Sequence, residues 1–214
     1  MNLIEQLGIS RVRHKARTGV VGVGYNTSNI PTKVNGKHTH EYVLWREMLR
    51  RCYSKSFQQK CPQYKGCYVC DRWHNFTNFY NDIVKMKGYE YMSEKRSVNL
   101  DKDIIIEGNR VYSPELCRLV PQEINKLITN RKACRGTFPI GVTFSKSKRK
   151  YVASLGFMKG EQVKGNVFDS PDDAFLFYKK HKEAHVKRVI MKFKDRLDID
   201  IFEALNNYEV SIND

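Results

Sequence analysis

The sequence predicts an α+β fold in two main parts, on three observations. Over residues 98–130 a short apolar run ends at Leu100-Asp101, a Gly108-Asn109 turn reverses the chain, a second apolar run passes through Tyr112, and a helix starts after Pro121. Over residues 140–193 three short apolar runs, 140–144, 150–155 and 162–168, precede a helix that opens at Ser170-Pro171-Asp172-Asp173. Between the two lies the basic, polar stretch 131–136, closed by Gly136, which marks a boundary. The expected division is a basic arm with a glycine-containing strand (1–40), a mixed domain (41–130), a sheet-and-helix domain (131–194) and an acidic tail (195–214). With 214 residues, 41% hydrophobic and 12% aromatic, the chain has enough apolar material for packed cores.

In the arm, Arg11, Arg13, His14, Lys15 and Arg17 form a basic patch that reads either as a contact to a polyanion or as a solvated terminus. Residues 18–25, rich in glycine, lack the Lys-Ser/Thr of a phosphate loop and the spacing of a dinucleotide fingerprint, so a glycine-containing strand is expected. Residues 41–53 place Val43, Leu44, Met48, Leu49 and Cys52 at helical spacing, with Arg46, Arg50 and Arg51 mostly elsewhere, the pattern of an amphipathic helix. Trp45 beside that stripe reads as core, with base stacking the alternative. Residues 54–65 are polar and broken at Pro62, which predicts a loop. Residues 68–80 lead into a helix turning Trp73, Phe76, Phe79, Tyr80 and Ile83 inward, and His74 among them reads as an ordinary surface or hydrogen-bonded imidazole. In the tail, Leu197, Ile201, Ala204, Leu205 and Tyr208 recur at steps of three and four, predicting a short helix that docks back on the body. The alternative for its acids is a cover over basic surface that discourages nonspecific binding.

The formal charge of +15 and a pI near 9.6 predict a polyanionic partner, nucleic acid ahead of an anionic membrane, because Lys and Arg contacts to phosphate release counterions. No run of about 18 apolar residues occurs, and the first residues lack the parts of a signal peptide, so a soluble cytoplasmic protein is expected. Six cysteines in such a chain are expected as reduced, buried thiols. Zn2+ on Cys67-x-x-Cys70 with Cys52 and Cys61 is the reading not favoured, because one C-x-x-C is a weak signal and the other two do not form a matching pair.

The chemistry centres on residues 98–130. If the hairpin folds back on the helix after Pro121, the Asp101 carboxylate and the Asn125 side-chain oxygen meet at one hard cation, the oxygen-rich setting that suits Mg2+. Leu100-Asp101-Lys102, Ser113-Pro114-Glu115-Leu116-Cys117-Arg118 and Gln122-Glu123-Ile124-Asn125 resemble the Asp-His pair, second strand and helix entry of phage HNH, or His-Me finger, endonucleases. The resemblance implies a ββα-metal finger with a helical surround, Asp101 and Asn125 as Mg2+ ligands, and Lys102 where that family keeps its His general base. A lysine near its ordinary pKa accepts no proton from water unless that pKa falls by roughly three units, whereas a protonated Lys102 could stabilise a phosphate. Two outcomes stay open: His74 or Tyr112 supplies the base, or the finger binds DNA without cutting it.

A wider likeness covers nearly the whole chain. Trp45-x-x-Met48-Leu49-x-Arg51-Cys52-Tyr53, Tyr64-Lys65-Gly66-Cys67-x-Val69-Cys70-x-x-Trp73, Leu100-Asp101-Lys102-Asp103 and Gly108-Asn109-x-x-Tyr112-Ser113-Pro114 are similar to phage proteins of an HNH-like or AP2-domain group. In that group Asp-Lys or Asp-Arg commonly stands in place of Asp-His, and the cytoplasm implied is that of the host cell.

Gly141-Val142-Thr143-Phe144, Tyr151-Val152-Ala153, Phe168 and Asp173-Ala174-Phe175-x-x-Tyr178 resemble the AP2 DNA-binding domain, although Gly165-Asn166 replaces its usual Leu-Gly. That resemblance implies a three-stranded sheet entering the major groove with a helix packed behind. Residues 131–194 hold 16 Lys/Arg against 5 Asp/Glu. Lys146, Lys148, Arg149, Lys150, Tyr151 and Lys164 are therefore expected to track phosphates and reach base edges, with Arg118 as a further DNA contact. Together the likenesses imply a Mg2+-dependent, site-specific endonuclease or nickase of the homing type acting on double-stranded DNA, with no small-molecule substrate. The alternative is a noncatalytic DNA-binding regulator on the same scaffold. A protein-interaction role for the Trp- and Tyr-rich middle leaves the charge unexplained.

Overall fold

The computed structural model describes residues 19–92, 98–128, 137–157 and 165–212. Helices alternate with small sheets, an α+β architecture, in two compact units: Met1–Asn125 with Arg196–Asp198, and Lys126–Asp195 with Ile199–Asp214. The arm residues 11–17 and the expected boundary at 131–136 lie outside the described residues. No helix among the described residues is long and apolar enough to cross a membrane.

The first unit opens with a turn where a strand was expected. Val20 and Gly24 exchange backbone hydrogen bonds of 2.8 and 2.9 Å, and Val21 and Gly22 adopt φ of 54° and 78°. The reversal brings Gly24 onto Trp45 and Leu49, where any Cβ would collide. Strands β1 (Lys33–Val34) and β2 (Lys37–His38) form a hairpin on Asn35-Gly36, both at positive φ, the pairing a type I′ turn requires.

Helix α1 (His40–Tyr53) starts where the Thr39 side chain accepts from the Tyr42 backbone N–H, and it buries Trp45, Met48, Leu49 and Cys52. Trp45 is core, its Nε1 donating to the Trp73 carbonyl at 2.7 Å. A second helix, α2 (Lys55–Lys60), occupies part of the stretch expected as a loop. Ser54 caps it, and Gln58 Nε2 lies within hydrogen-bonding distance of the carbonyls of Arg51, Cys52 and Tyr64, the first two being acceptors left over at the end of α1. After β3 (Tyr68–Val69), Asn75 caps α3 (Phe76–Ile83), and Trp73, Phe76, Phe79 and Ile83 are fully buried.

The next segment corrects the expected hairpin. Strand β4 (Val98–Asp101) pairs antiparallel with β6 (Arg118–Pro121), in the register Val98↔Pro121 to Asp101↔Arg118. The run through Tyr112, β5 (Val111–Tyr112), instead pairs parallel with β3. Both β5 side chains are buried, which suits a strand inside the unit rather than a hairpin arm with one wet face. Helix α4 (Gln122–Ile128) follows β6, so the ββα order is β4, β6, α4, and the division between units falls within α4.

In the second unit three short strands precede a helix. Strands β7 (Val142–Ser145), β8 (Lys150–Ala153) and β9 (Val167–Phe168) form an antiparallel sheet in chain order. Helix α5 (Pro171–Lys192) starts where the Ser170 side chain accepts from Asp172 N, and it packs Ala174, Phe175 and Tyr178 against Val142 and Ala153. Burying this apolar face supplies the main stabilisation, about 25 cal/mol per Å2 of apolar surface removed from water. Helix α6 (Ile199–Asn206) buries Ile201 and Leu205. The residues after it are latched to α5: Val210 N donates to Glu183 Oε1 at 2.9 Å, and Lys179 Nζ donates to the Val210 carbonyl at 3.0 Å.

Candidate functional site

Asp101 ends β4 opposite Arg118. Its Oδ1 accepts from the backbone N–H groups of Asp103 and Ile104, each at 2.8 Å, so the carboxylate starts a turn just as an Asx residue does. Burial pushes its pKa above the ordinary carboxylate value, and the two N–H groups oppose that shift. Both bonds land on Oδ1, which leaves Oδ2 outside this turn.

Lys102 is buried, and its ammonium is used within the loop. Nζ donates to Asp103 Oδ1 at 2.6 Å and to the Asn109 carbonyl, and it lies 5.9 Å from the centroid of the Tyr112 ring. Asn109 returns the contact: its Nδ2 donates to the carbonyls of Lys102 and Val111, both at 2.8 Å, and its Oδ1 accepts from Val111 N at 2.9 Å. The loop from Asp101 to Tyr112 is thereby closed on one buried cation and one buried amide. Composition offered no sign of Asn109's role beyond its place in the Gly108-Asn109 turn.

Asn125 lies one turn into α4, half-buried. The ladder sets Asp101 at one end and the start of α4, after Pro121, at the other. Among the described residues no group of three or more His, Cys, Asp or Glu side chains is placed to hold a metal ion. Of the two candidate bases, His74 is buried with Nε2 2.9 Å from the Tyr53 hydroxyl, which also accepts from Val69 N. Tyr112 is buried with its hydroxyl hydrogen-bonded to Arg51. Burial raises its pKa well above the ordinary phenol value and keeps it protonated at neutral pH.

Arg118 is also spent internally. Its guanidinium donates to the Glu115 and Cys117 carbonyls at 2.9 Å, and Nε lies 3.5 Å from the Asp198 carboxylate. Cys52, Cys67, Cys70 and Cys117 are buried free thiols, and Cys61 is a partly exposed one. Burial pushes Cys52 and Cys117 up and Cys70 up to about 12, favouring the thiol over the thiolate that a metal needs.

The second unit carries a run of exposed cations. Lys146, Lys148, Arg149 and Lys150 follow one another through the β7–β8 turn, where Arg149 takes φ 52° and Lys150 Nζ lies 2.9 Å from Asp169. Register separates the sheet's two faces. Ser145 opposite Lys150 and Thr143 opposite Val152 lie away from α5, while Phe144, Tyr151 and Phe168 share the face of Val142 and Ala153. Tyr151, expected among the cations, is thus half-buried on the helix side. Lys164 lies outside the described residues. Phe138 and Phe144, which sequence reading did not single out as site residues, are 36% and 44% exposed against Tyr151.

No protein-family model, curated protein or solved structure matches the chain.

Proposed function

We propose that the protein binds double-stranded DNA through the second unit, in the manner of an AP2-like reading sheet. The observation that carries this reading is the run of exposed cations, Lys146, Lys148, Arg149 and Lys150, on the turn of a three-stranded sheet backed by α5. A short, rigid, positively charged turn can follow a phosphate backbone while neighbouring strand side chains reach the groove. The experiment is a salt titration of duplex binding by the whole chain and by a Lys146→Ala, Lys148→Ala, Arg149→Ala triple variant. Affinity is expected to fall, and the slope of log K against log salt to flatten by roughly 0.9 for each phosphate contact removed. An unchanged slope would take this turn out of the interface.

A second reading is supported by the β4, β6, α4 order: a Mg2+-dependent HNH-like nickase or endonuclease. The oxygen chemistry of Asp101, through Oδ2, and of Asn125 suits a hard cation, and the two would share one where α4 carries Asn125 back toward the Asp101 end of the ladder. Bound there, Mg2+ would polarise a scissile phosphate and stabilise the leaving oxygen. The chain's own residues supply less toward cleavage. Lys102 has its ammonium on Asp103 and Asn109, and Tyr112 stays protonated, so neither is ready to take a proton from water. Binding without cutting is therefore the reading Lys102 and Tyr112 favour, and His74, on the Tyr53 hydroxyl, is the candidate base that is left. Nicking of supercoiled plasmid in Mg2+ or Mn2+ that disappears in both Asp101→Ala and Asn125→Ala would reverse that preference.

A further inference from the structure

Phe138 and Phe144 expose more than a third of their surface in a unit whose helix covers the rest of its apolar row. Phe168 lies 5.2 Å from Phe177, and Phe177 lies 4.2 Å from His181 of α5, centroid to centroid. At the other end the row is partly exposed: Phe144 and Phe138 meet Tyr151 at steep interplanar angles, with centroids at 5.2 and 5.4 Å. Phe138 and Phe144 are 36% and 44% exposed, and it is this exposed ring surface that is open to another flat ring. The residues next in the chain are the exposed Lys146, Lys148 and Arg149. An aromatic ledge bordered by cations fits a nucleobase whose phosphate the cations hold, since base stacking on aromatic side chains tolerates any base and requires one that has left its duplex stack.

We infer that Phe144 and Phe138, braced on Tyr151, form a stacking platform for an unpaired nucleobase beside the cationic turn. The protein then prefers DNA carrying an extruded or bulged base to a perfect duplex. This rests on the DNA-binding reading above and adds to it the form of DNA preferred.

The test uses the whole chain with a short perfect duplex and the same duplex carrying one bulged 2-aminopurine. Wild-type protein is expected to bind the bulged DNA about tenfold more tightly and to quench its fluorescence on binding. Phe144→Leu keeps an apolar side chain but removes the π face. It is expected to abolish the preference and the quenching while leaving perfect-duplex affinity and the melting temperature unchanged, and Phe138→Leu is expected to weaken the preference in the same direction. Equal wild-type affinity for the two DNAs, as would follow if the ledge served an apolar protein partner, would overturn the platform alone. So would a preference that survives both substitutions. Failure to bind either DNA would overturn the DNA-binding reading and the platform with it.

Discussion

Lys102 and Asn109 hold each other reciprocally: Lys102 Nζ donates to the Asn109 carbonyl while Asn109 Nδ2 donates to the Lys102 carbonyl at 2.8 Å. The buried Lys102 ammonium is thus tied into the loop that follows it. Lys102→Met keeps the apolar stem and removes the ammonium, leaving the Asn109 carbonyl short of a donor. The variant is expected to lose about 2 kcal/mol of unfolding free energy in a denaturant titration, the order of cost for a buried acceptor stripped of a charged partner. Its salt dependence of DNA binding should match wild type. A flatter slope would put the ammonium on a phosphate instead.

Asp101 gives a separate, pH-dependent test. Burial raises its folded-state pKa, so the folded chain binds the proton more tightly than the unfolded chain, and ionisation works against folding. Asp101→Asn retains an Oδ1 acceptor for the Asp103 and Ile104 N–H groups without the charge. The variant is expected to melt higher than wild type at neutral pH. That advantage shrinks as pH falls through the raised pKa and vanishes below the unfolded carboxylate value, about 3.9, where Asp101 is neutral in both states. The same melting series bears on Mg2+: if Asp101 holds the ion, added Mg2+ raises the melting temperature of wild type and not of Asp101→Asn. An equal response from the two proteins would remove Asp101 from any metal site.

What could be read in advance follows the range of the forces involved. Helices α1, α3 and α5 were legible because spacing and caps are local: Ser170-Pro171-Asp172 announces α5 in three residues. The β7, β8, β9 sheet was legible for the same reason, each strand pairing with the next one in the chain. The partner of β4 was not. Choosing Arg118–Pro121 over Val111–Tyr112 depends on which side-chain bonds close the loop between Lys102 and Asn109 and on β3, remote in sequence, taking β5. Helix α2 is only six residues long, too short for its apolar spacing to stand out from a polar loop. Within the candidate site, Asp101 and the cations of the β7–β8 turn were picked out by residue type. The side of the sheet on which Tyr151 lies, and the exposure of Phe144 beside it, depend on strand register and on where α5 ends its cover.

Gly141 holds the three-stranded sheet to its helix, and it offers the last test. It sits at φ 75° just before β7, and a Cβ there would overlap the Tyr178 ring of α5. Gly141→Ala incurs two penalties at once: a left-handed backbone costs a non-glycine residue roughly 1 kcal/mol or more, and the methyl must push Tyr178 out of its packed place for about another 1–3 kcal/mol. The loss is expected to fall on the second unit. Amide exchange should accelerate across β7, β8 and the first turns of α5 while α1 and α3 keep wild-type protection. Because the β7–β8 turn is carried by that sheet, duplex affinity should fall along with protection. Full DNA affinity with a loosened sheet would mean that the contacts to DNA are made elsewhere in the chain.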